Sequence, residues 1–385
     1  MTSVISNPPI QALQTTQRYL SLDVLRGMTV AFMIVVNTPG SWETIYAPFR
    51  HADWHGFTPT DLVFPTFLFV VGNAMSFSQR KFDRKPNPAF FGAVGKRTLL
   101  IFLIGLFLNA FPFVTRSNGE LTLIDFSSLR IMGVLQRIAL CYLVASLVIR
   151  FARVRGALLF SAFALLGYWA AAFALGSGPD PYSLETNASR KLDLLLIQSA
   201  NLYHGFGLPF EPEGLLSTLP SVVNVLAGYL AGVFIQKGGN TLPTIGRLAI
   251  AGLLTIGVAL LWHLSFPINK PIWTSSYVLL TVGLDLLLLA TLMLLIDVVG
   301  ARRWTYFFEV FGKNPLFIYM LSGIIIELLI LVRVGGTSLS GWLYRNLFTS
   351  WLADKNASLA FAVSYMLLLW LIGYWMDKRK LYIRV

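Results

Sequence analysis

Two imidazoles stand four residues apart in Phe49-Arg50-His51-Ala52-Asp53-Trp54-His55-Gly56, a short polar loop between two apolar segments that are each long enough to cross a bilayer. Histidine is the side chain whose ordinary titration falls near neutral pH, so this placement points to acid–base or group-transfer chemistry at the lipid–water boundary. Were residues 51–55 helical, both rings would share a face and could bind a metal. No third ligand is evident, so no metal is assigned.

The next apolar segment opens with Thr58-Pro59-Thr60-Asp61. Thr58 suits an N-cap, Pro59 the first helical position, and Asp61 can return a hydrogen bond to the Thr58 N–H. This cap fixes where the preceding loop, and hence His51, must sit, and it leaves Asp61 with a structural and a catalytic reading. Asn37 ends the first apolar segment, just before Pro39-Gly40, where its amide must find partners. It is a candidate to orient an imidazole or to polarise a carbonyl. Asp23 and Arg26 have the spacing of a helical ion pair. Arg137 and Asp285 fall inside apolar segments, where ionisable groups pair with each other or line a ligand path.

The elements that hold these residues follow from composition. Of 385 residues, 56% are hydrophobic and 12% charged, against about 25% charged in soluble proteins, and the mean hydropathy is +0.67. The chain is expected to be an all-α polytopic membrane bundle forming one domain over 1–385. Ten spans are expected at roughly 20–38, 60–78, 97–114, 130–149, 156–174, 216–235, 245–264, 273–296, 314–332 and 357–376. No soluble stretch is long enough for a separate domain, and no internal repeat is evident.

The net charge of +12 does not mark a nucleic-acid partner, because the basic residues lie scattered through short loops and tails. Most of them fall on alternate loops. An even number of spans with both termini on the basic side fits this bias, placing both termini, including the short tail 1–19, in the cytoplasm. The first seventeen residues are polar, so the first span is expected to act as its own insertion signal. All four histidines, His51, His55, His204 and His263, then fall on the outer side. The longest loop, about 175–215, also faces outward and carries a short amphipathic piece from Lys191 to Gln198. The single cysteine, Cys141, excludes an intrachain disulfide.

Four ordered stretches carry a resemblance. They are Ser21-Leu22-Asp23-Val24-Leu25-Arg26-Gly27; His51-Ala52-Asp53-Trp54-His55-Gly56 running into Asp61-Leu62-Val63-Phe64-Pro65; Gly133-Val134-Leu135-Gln136-Arg137; and Glu213-Gly214-Leu215-Leu216-Ser217-Thr218. Together they resemble the heparan-α-glucosaminide N-acetyltransferase family, and more closely its shorter bacterial members, the NagX-like proteins. The resemblance implies transfer of an acetyl group from cytosolic acetyl-CoA, across the membrane, to the amine of a glucosamine-type sugar. It implies His51, not His55, as the functional histidine, with Asn37 as its partner, and a homodimer; the expected absence of a signal peptide and the short chain point to a bacterial inner membrane. Against the heparan-acting members the chain is expected to lack an extra N-terminal luminal portion and has a slightly longer stretch between Asn37 and His51, which points to an amino sugar or a cell-wall-derived glycan as acceptor.

On this reading His51, Asn37 and Asp61 are the expected catalytic residues. Arg26, Lys96, Arg97, Arg137, Lys313 and Asn314 are assigned to acetyl-CoA, and Trp54, His55, Glu213 and Lys270 to the acceptor. Histidine can take the proton of the attacking amine, or it can carry the acetyl group itself. Two other functions fit the residues: an amino-sugar transporter with Arg137 and Asp285 lining its path, and an acyltransferase for another cell-envelope glycan.

Overall fold

The computed structural model describes residues 19–83, 86–117 and 120–383. The tail through Arg18, together with Arg84, Lys85 and Arg384, lies outside the described residues. Eight helices among the described residues are long and apolar enough to cross a membrane. They are α1 (Leu20–Asn37), α2 (Val63–Asp83), α3 (Asn87–Ala110), α4 (Val134–Leu175), α6 (Leu215–Gly238), α7 (Leu242–His263), α8 (Ser275–Leu292) and α12 (Asp354–Lys378). Shorter helices are α5 (Ala188–Leu196), α9 (Thr305–Lys313), α10 (Pro315–Leu331) and α11 (Leu339–Tyr344). The architecture is the all-α membrane bundle that the composition dictates.

Three of the ten expected spans are merged or broken rather than missing. α4 runs for 42 residues, but Arg153 is non-helical inside it, with φ +52°, so two helical segments meet there. α9 and α10 bend by 83° at Asn314, where Pro315 opens α10 because its missing N–H costs nothing at a first helical position. Each expected span therefore overlaps a helix. Two small antiparallel hairpins were not expected: β1 (Val114–Ser117) with β2 (Glu120–Leu123), and β3 (Arg333–Val334) with β4 (Thr337–Ser338). Strands this short carry too little alternation to register in a sequence. The amphipathic piece of the long loop is α5, starting three residues earlier than expected because Asn187 caps it by accepting the Arg190 N–H.

Burial sorts the helices. The spans of α2 and α6 are 78% and 72% buried inside the protein, those of α3 and α7 only 17% and 28%, so the first pair forms the centre and the second the lipid-facing wall. α2 and α6 touch backbone to backbone: a methyl group on Gly72 would overlap the Val225 carbonyl, and one on Gly228 would overlap the Phe69 carbonyl. Small residues allow this approach, which is how helices associate without a hydrophobic drive between them.

The bundle has two chemically distinct ends. α1 rises about 27 Å over its 18 residues, from Asp23 and Arg26 near one end to Asn37 at the other. The His51 loop, the loop before α4, the long loop with α5, and the 264–274 loop all gather at the Asn37 end.

Candidate active site

Asp61 is the centre of the Asn37 end. A 3-10 turn, Pro59–Leu62, leads into α2 and buries its carboxylate to 1% exposure. One oxygen accepts the N–H groups of Thr58 and Ala52 at 3.0 and 3.2 Å and the Thr58 hydroxyl at 3.1 Å. The other contacts Nδ1 of His51 at 2.6 Å. The Tyr277 hydroxyl donates to the Asp61 backbone carbonyl at 2.6 Å. The cap predicted from sequence therefore exists, and the same carboxylate also holds the imidazole. The two readings of Asp61 are one arrangement.

An ionised carboxylate only accepts hydrogen bonds, so facing Nδ1 it keeps the proton on that nitrogen and leaves Nε2 with its lone pair. His51 is 47% exposed, and Nε2 is the ring nitrogen that Asp61 does not engage. A buried carboxylate orienting a half-exposed imidazole is the positioned base of acyl-transfer enzymes.

Lys270 completes the cluster. Its Nζ lies 3.1 Å from Nδ1 and 3.3 Å from Nε2 of His51, and 3.6 Å from the Asp61 carboxylate. Burial pushes its ammonium below the ordinary lysine value, opposed by Asp61 and Glu213. Assigned to the acceptor from sequence, Lys270 is in the structure a direct neighbour of the base.

The remaining acceptor assignments divide. Trp54 donates to the Tyr182 carbonyl at 3.0 Å and packs edge-on against Phe206 and Phe210, so it anchors the long loop over the site. His55 contacts the Asn269 amide at 3.2 Å and lies 4.0 Å from Asp180. Burial holds its imidazole below the ordinary value, against the raising effect of Asp180 and with a further lowering from His263. Glu213 is engaged by Arg130 at 2.7 Å, and Arg130 also grips the fully buried Glu211 at 2.9 Å through Nε. Burial pushes Glu213 up, but the cations of Arg130, Arg137 and Lys270 outweigh it and hold the carboxyl below its usual range. Glu213 is thus a member of a buried ion-pair group.

Asn37 stands apart from the Asp61–His51 pair. Its side chain is exposed at the end of α1, and no hydrogen bond joins it to His51 among the described residues. Asp61 fills the orienting role. Arg137 does not pair with Asp285. It is fully buried, donates to the Ser217 hydroxyl and the Gly214 carbonyl, and stacks 4.9 Å over Trp273, while Asp285 accepts from Thr66 at 2.6 Å. Arg137 therefore lies at the Asn37 end, beside Glu213.

At that opposite end lies a cavity of about 650 Å³. Arg26, Arg97 and Lys313, three of the residues assigned to acetyl-CoA, line it together with Tyr142, Tyr382 and an apolar wall. Arg26 is held by Asp23 and the Gly312 carbonyl, both at 3.3 Å, and Lys313 by Asp377 at 2.9 Å. Arg97 lies over the Tyr142 ring at 4.7 Å and makes no ion pair among the described residues. Lys96 is exposed and outside the cavity lining, and Asn314 spends its amide on Leu381 and Ile383 at 3.0 and 2.8 Å.

The cavity runs along α2 from Ser78 to Phe67, about 16 Å at helical rise, and stops about 9 Å short of Asp61. On α4 it reaches Leu135, in the first turn. A buried contact path closes the gap: Arg137 stacks on Trp273, Trp273 lies 5.1 Å from Phe64 and 5.2 Å from Tyr277, and Tyr277 binds Asp61. Trp273 sits at φ +51°, a conformation that bulky side chains rarely adopt.

Arg130, Glu211, Tyr277 and Trp273 were not marked as site residues by the sequence. For Arg130 a signal existed: a cation on the side where cations are sparse.

The profile described as heparan-alpha-glucosaminide N-acetyltransferase, catalytic, matches residues 18–268. The human protein named heparan-alpha-glucosaminide N-acetyltransferase is 27% identical over 358 residues, covering 79% of this chain and 52% of its own length. The mouse protein of the same name is 26% identical over 363 residues, covering 80% and 53%. The chain spans about half the length of these relatives.

Proposed function

Because the chain belongs to the heparan-α-glucosaminide N-acetyltransferase family, we propose that it is a transmembrane N-acetyltransferase, carrying the acetyl group of cytosolic acetyl-CoA to the amine of a glucosamine-type sugar on the outer side. The observation that carries this reading is the pair of facing sites: a basic-mouthed cavity at one end of the bundle and a carboxylate–imidazole dyad at the other, about 9 Å apart along α2.

In this scheme the CoA phosphates lie at the mouth lined by Arg97, Arg26 and Lys313, where guanidinium and ammonium donors suit phosphate oxygens. The apolar wall of Phe67, Leu135 and Ile138 suits the slim arm that brings the thioester toward the Asn37 end. The sugar amine approaches Nε2 of His51 from outside. As the amine attacks the thioester carbonyl, Nε2 takes its proton, and Asp61 stabilises the imidazolium that forms. Collapse of the tetrahedral intermediate breaks the C–S bond, and the imidazolium proton leaves with the CoA thiolate. Asn37, exposed at the end of α1, stands on the acceptor side of this scheme. The same reading places the protein in a bacterial inner membrane, as a homodimer.

The test is acetylation of glucosamine by the purified protein with labelled acetyl-CoA. Wild type is expected to form N-acetylglucosamine, and His51→Ala to bind acetyl-CoA while forming none. Wild-type turnover by His51→Ala contradicts the assignment.

A further inference from the structure

We propose that Lys270 acts as a cationic catalyst beside His51, stabilising the oxyanion of the tetrahedral intermediate and favouring the neutral form of the incoming amine. This rests on the acetyltransferase reading above.

The geometry singles this residue out. The Lys270 Nζ stands 3.3 Å from the nitrogen that must receive the acceptor proton. The attacking amine hydrogen-bonds to that same nitrogen, so the carbonyl it attacks lies within reach of Nζ. An oxyanion is best stabilised by a donor already in place in a site shielded from water, and only 20% of the Lys270 side chain is exposed. The ammonium needs no reorganisation, because Asp61 at 3.6 Å holds it from one side and Glu213 attracts it from another. Lys270 contacts both ring nitrogens of His51, at 3.1 and 3.3 Å, whereas Asn37 makes no hydrogen bond to His51 among the described residues.

The same cation works on the nucleophile. A glucosamine amine is partly protonated near neutral pH, and only its neutral form attacks. A positive charge at the attack position disfavours the ammonium form, which a site lined only by Asp61 would favour. The charged groups facing Lys270 are Asp61 at the start of α2, His51 in the loop after α1, and Glu213 before α6. Arg130 and Arg137 lie behind Glu213 and partly neutralise it.

A lysine in this role must stay charged, whereas a lysine acting as a base must not. Burial lowers its titration from the ordinary value, so the alkaline fall in activity should report it. Arginine keeps its charge at all accessible pH.

The experiment compares pH–rate profiles of wild type, Lys270→Met and Lys270→Arg with acetyl-CoA and saturating glucosamine, alongside the acetyl-CoA Kd. Lys270→Met is expected to lose roughly 100-fold in kcat with the Kd unchanged. Lys270→Arg is expected to recover at least about tenfold of that loss and to move the alkaline fall to higher pH. A merely structural lysine would not move that limb. The proposal is overturned if Lys270→Met keeps the wild-type kcat, if Lys270→Arg is as slow as Lys270→Met, or if its alkaline limb coincides with that of wild type. A wild type that binds acetyl-CoA yet acetylates no glucosamine overturns the functional reading, and this inference with it.

Discussion

Replacing Asp61 by asparagine changes one atom and should nearly silence the enzyme. The carboxylate oxygen that caps the turn accepts three hydrogen bonds, from the N–H groups of Ala52 and Thr58 and from the Thr58 hydroxyl. An amide oxygen can take all three, so Asp61→Asn is expected to fold and to keep the loop in place. The amide nitrogen then faces Nδ1 of His51, 2.6 Å away in the native site, and it can only donate. Nδ1 must become the acceptor, the ring proton moves to Nε2, and the lone pair that should receive the substrate proton is gone. The imidazolium also loses its buried counter-charge. The same tautomer error in a hydrolase triad costs about 10⁴ in kcat, so a fall of roughly 10³–10⁴ is expected, equivalent to about 4–5.5 kcal/mol of barrier. The assay is transfer of labelled acetyl from acetyl-CoA to glucosamine, with the acetyl-CoA Kd measured in parallel. The Kd should not change, because the cavity ends about 9 Å from Asp61. An Asp61→Asn variant with more than a tenth of the wild-type kcat refutes the argument.

Two predictions concern stability at the same end of the bundle. Arg130→Met strands the fully buried Glu211 and the largely buried Glu213, and breaking such a group should cost about 3–5 kcal/mol at neutral pH; thermal unfolding in detergent should show the deficit shrinking as the carboxyls protonate at low pH, and an equal deficit at pH 7 and pH 4 would contradict it. Burial pushes Asp193 up to about 7 from an ordinary 3.8, so its folded carboxyl keeps a proton that the unfolded chain has already released. That raised value makes the native state lose stability as pH rises from about 4 to 7, by at most ~4 kcal/mol. Asp193→Asn, which can still accept the Leu215 N–H now bound at 2.9 Å, should therefore raise the melting temperature at pH 8 and leave it unchanged at pH 4. An equal rise at both would count against it.

What the sequence makes legible is local. Apolar length gave the helices, and the Thr58-Pro59-Thr60-Asp61 spacing gave the cap that Asp61 closes, because a cap depends on residues three apart. Arg26, Arg97 and Lys313 were legible as a group from the side of the membrane they share, and they do line one cavity. What is not legible is mostly long-range. Asn37 and His51 are close in chain, yet the side chain that binds His51 belongs to the turn after it. Arg137 and Asp285 are both buried cations and anions of apolar helices, but helix rotation sends one to Ser217 and the other to Thr66. Lys270 reaches His51 across 219 residues of chain, a separation no local pattern encodes.

The central claim is that donor and acceptor meet from opposite faces of the membrane. Proteoliposomes of uniform orientation, with labelled acetyl-CoA confined to the side of Arg97 and glucosamine confined to the side of His51, test it most directly. The account predicts labelled N-acetylglucosamine on the His51 side alone, with none formed when both substrates share the Arg97 side. Product on the Arg97 side, or glucosamine crossing unmodified, would contradict it.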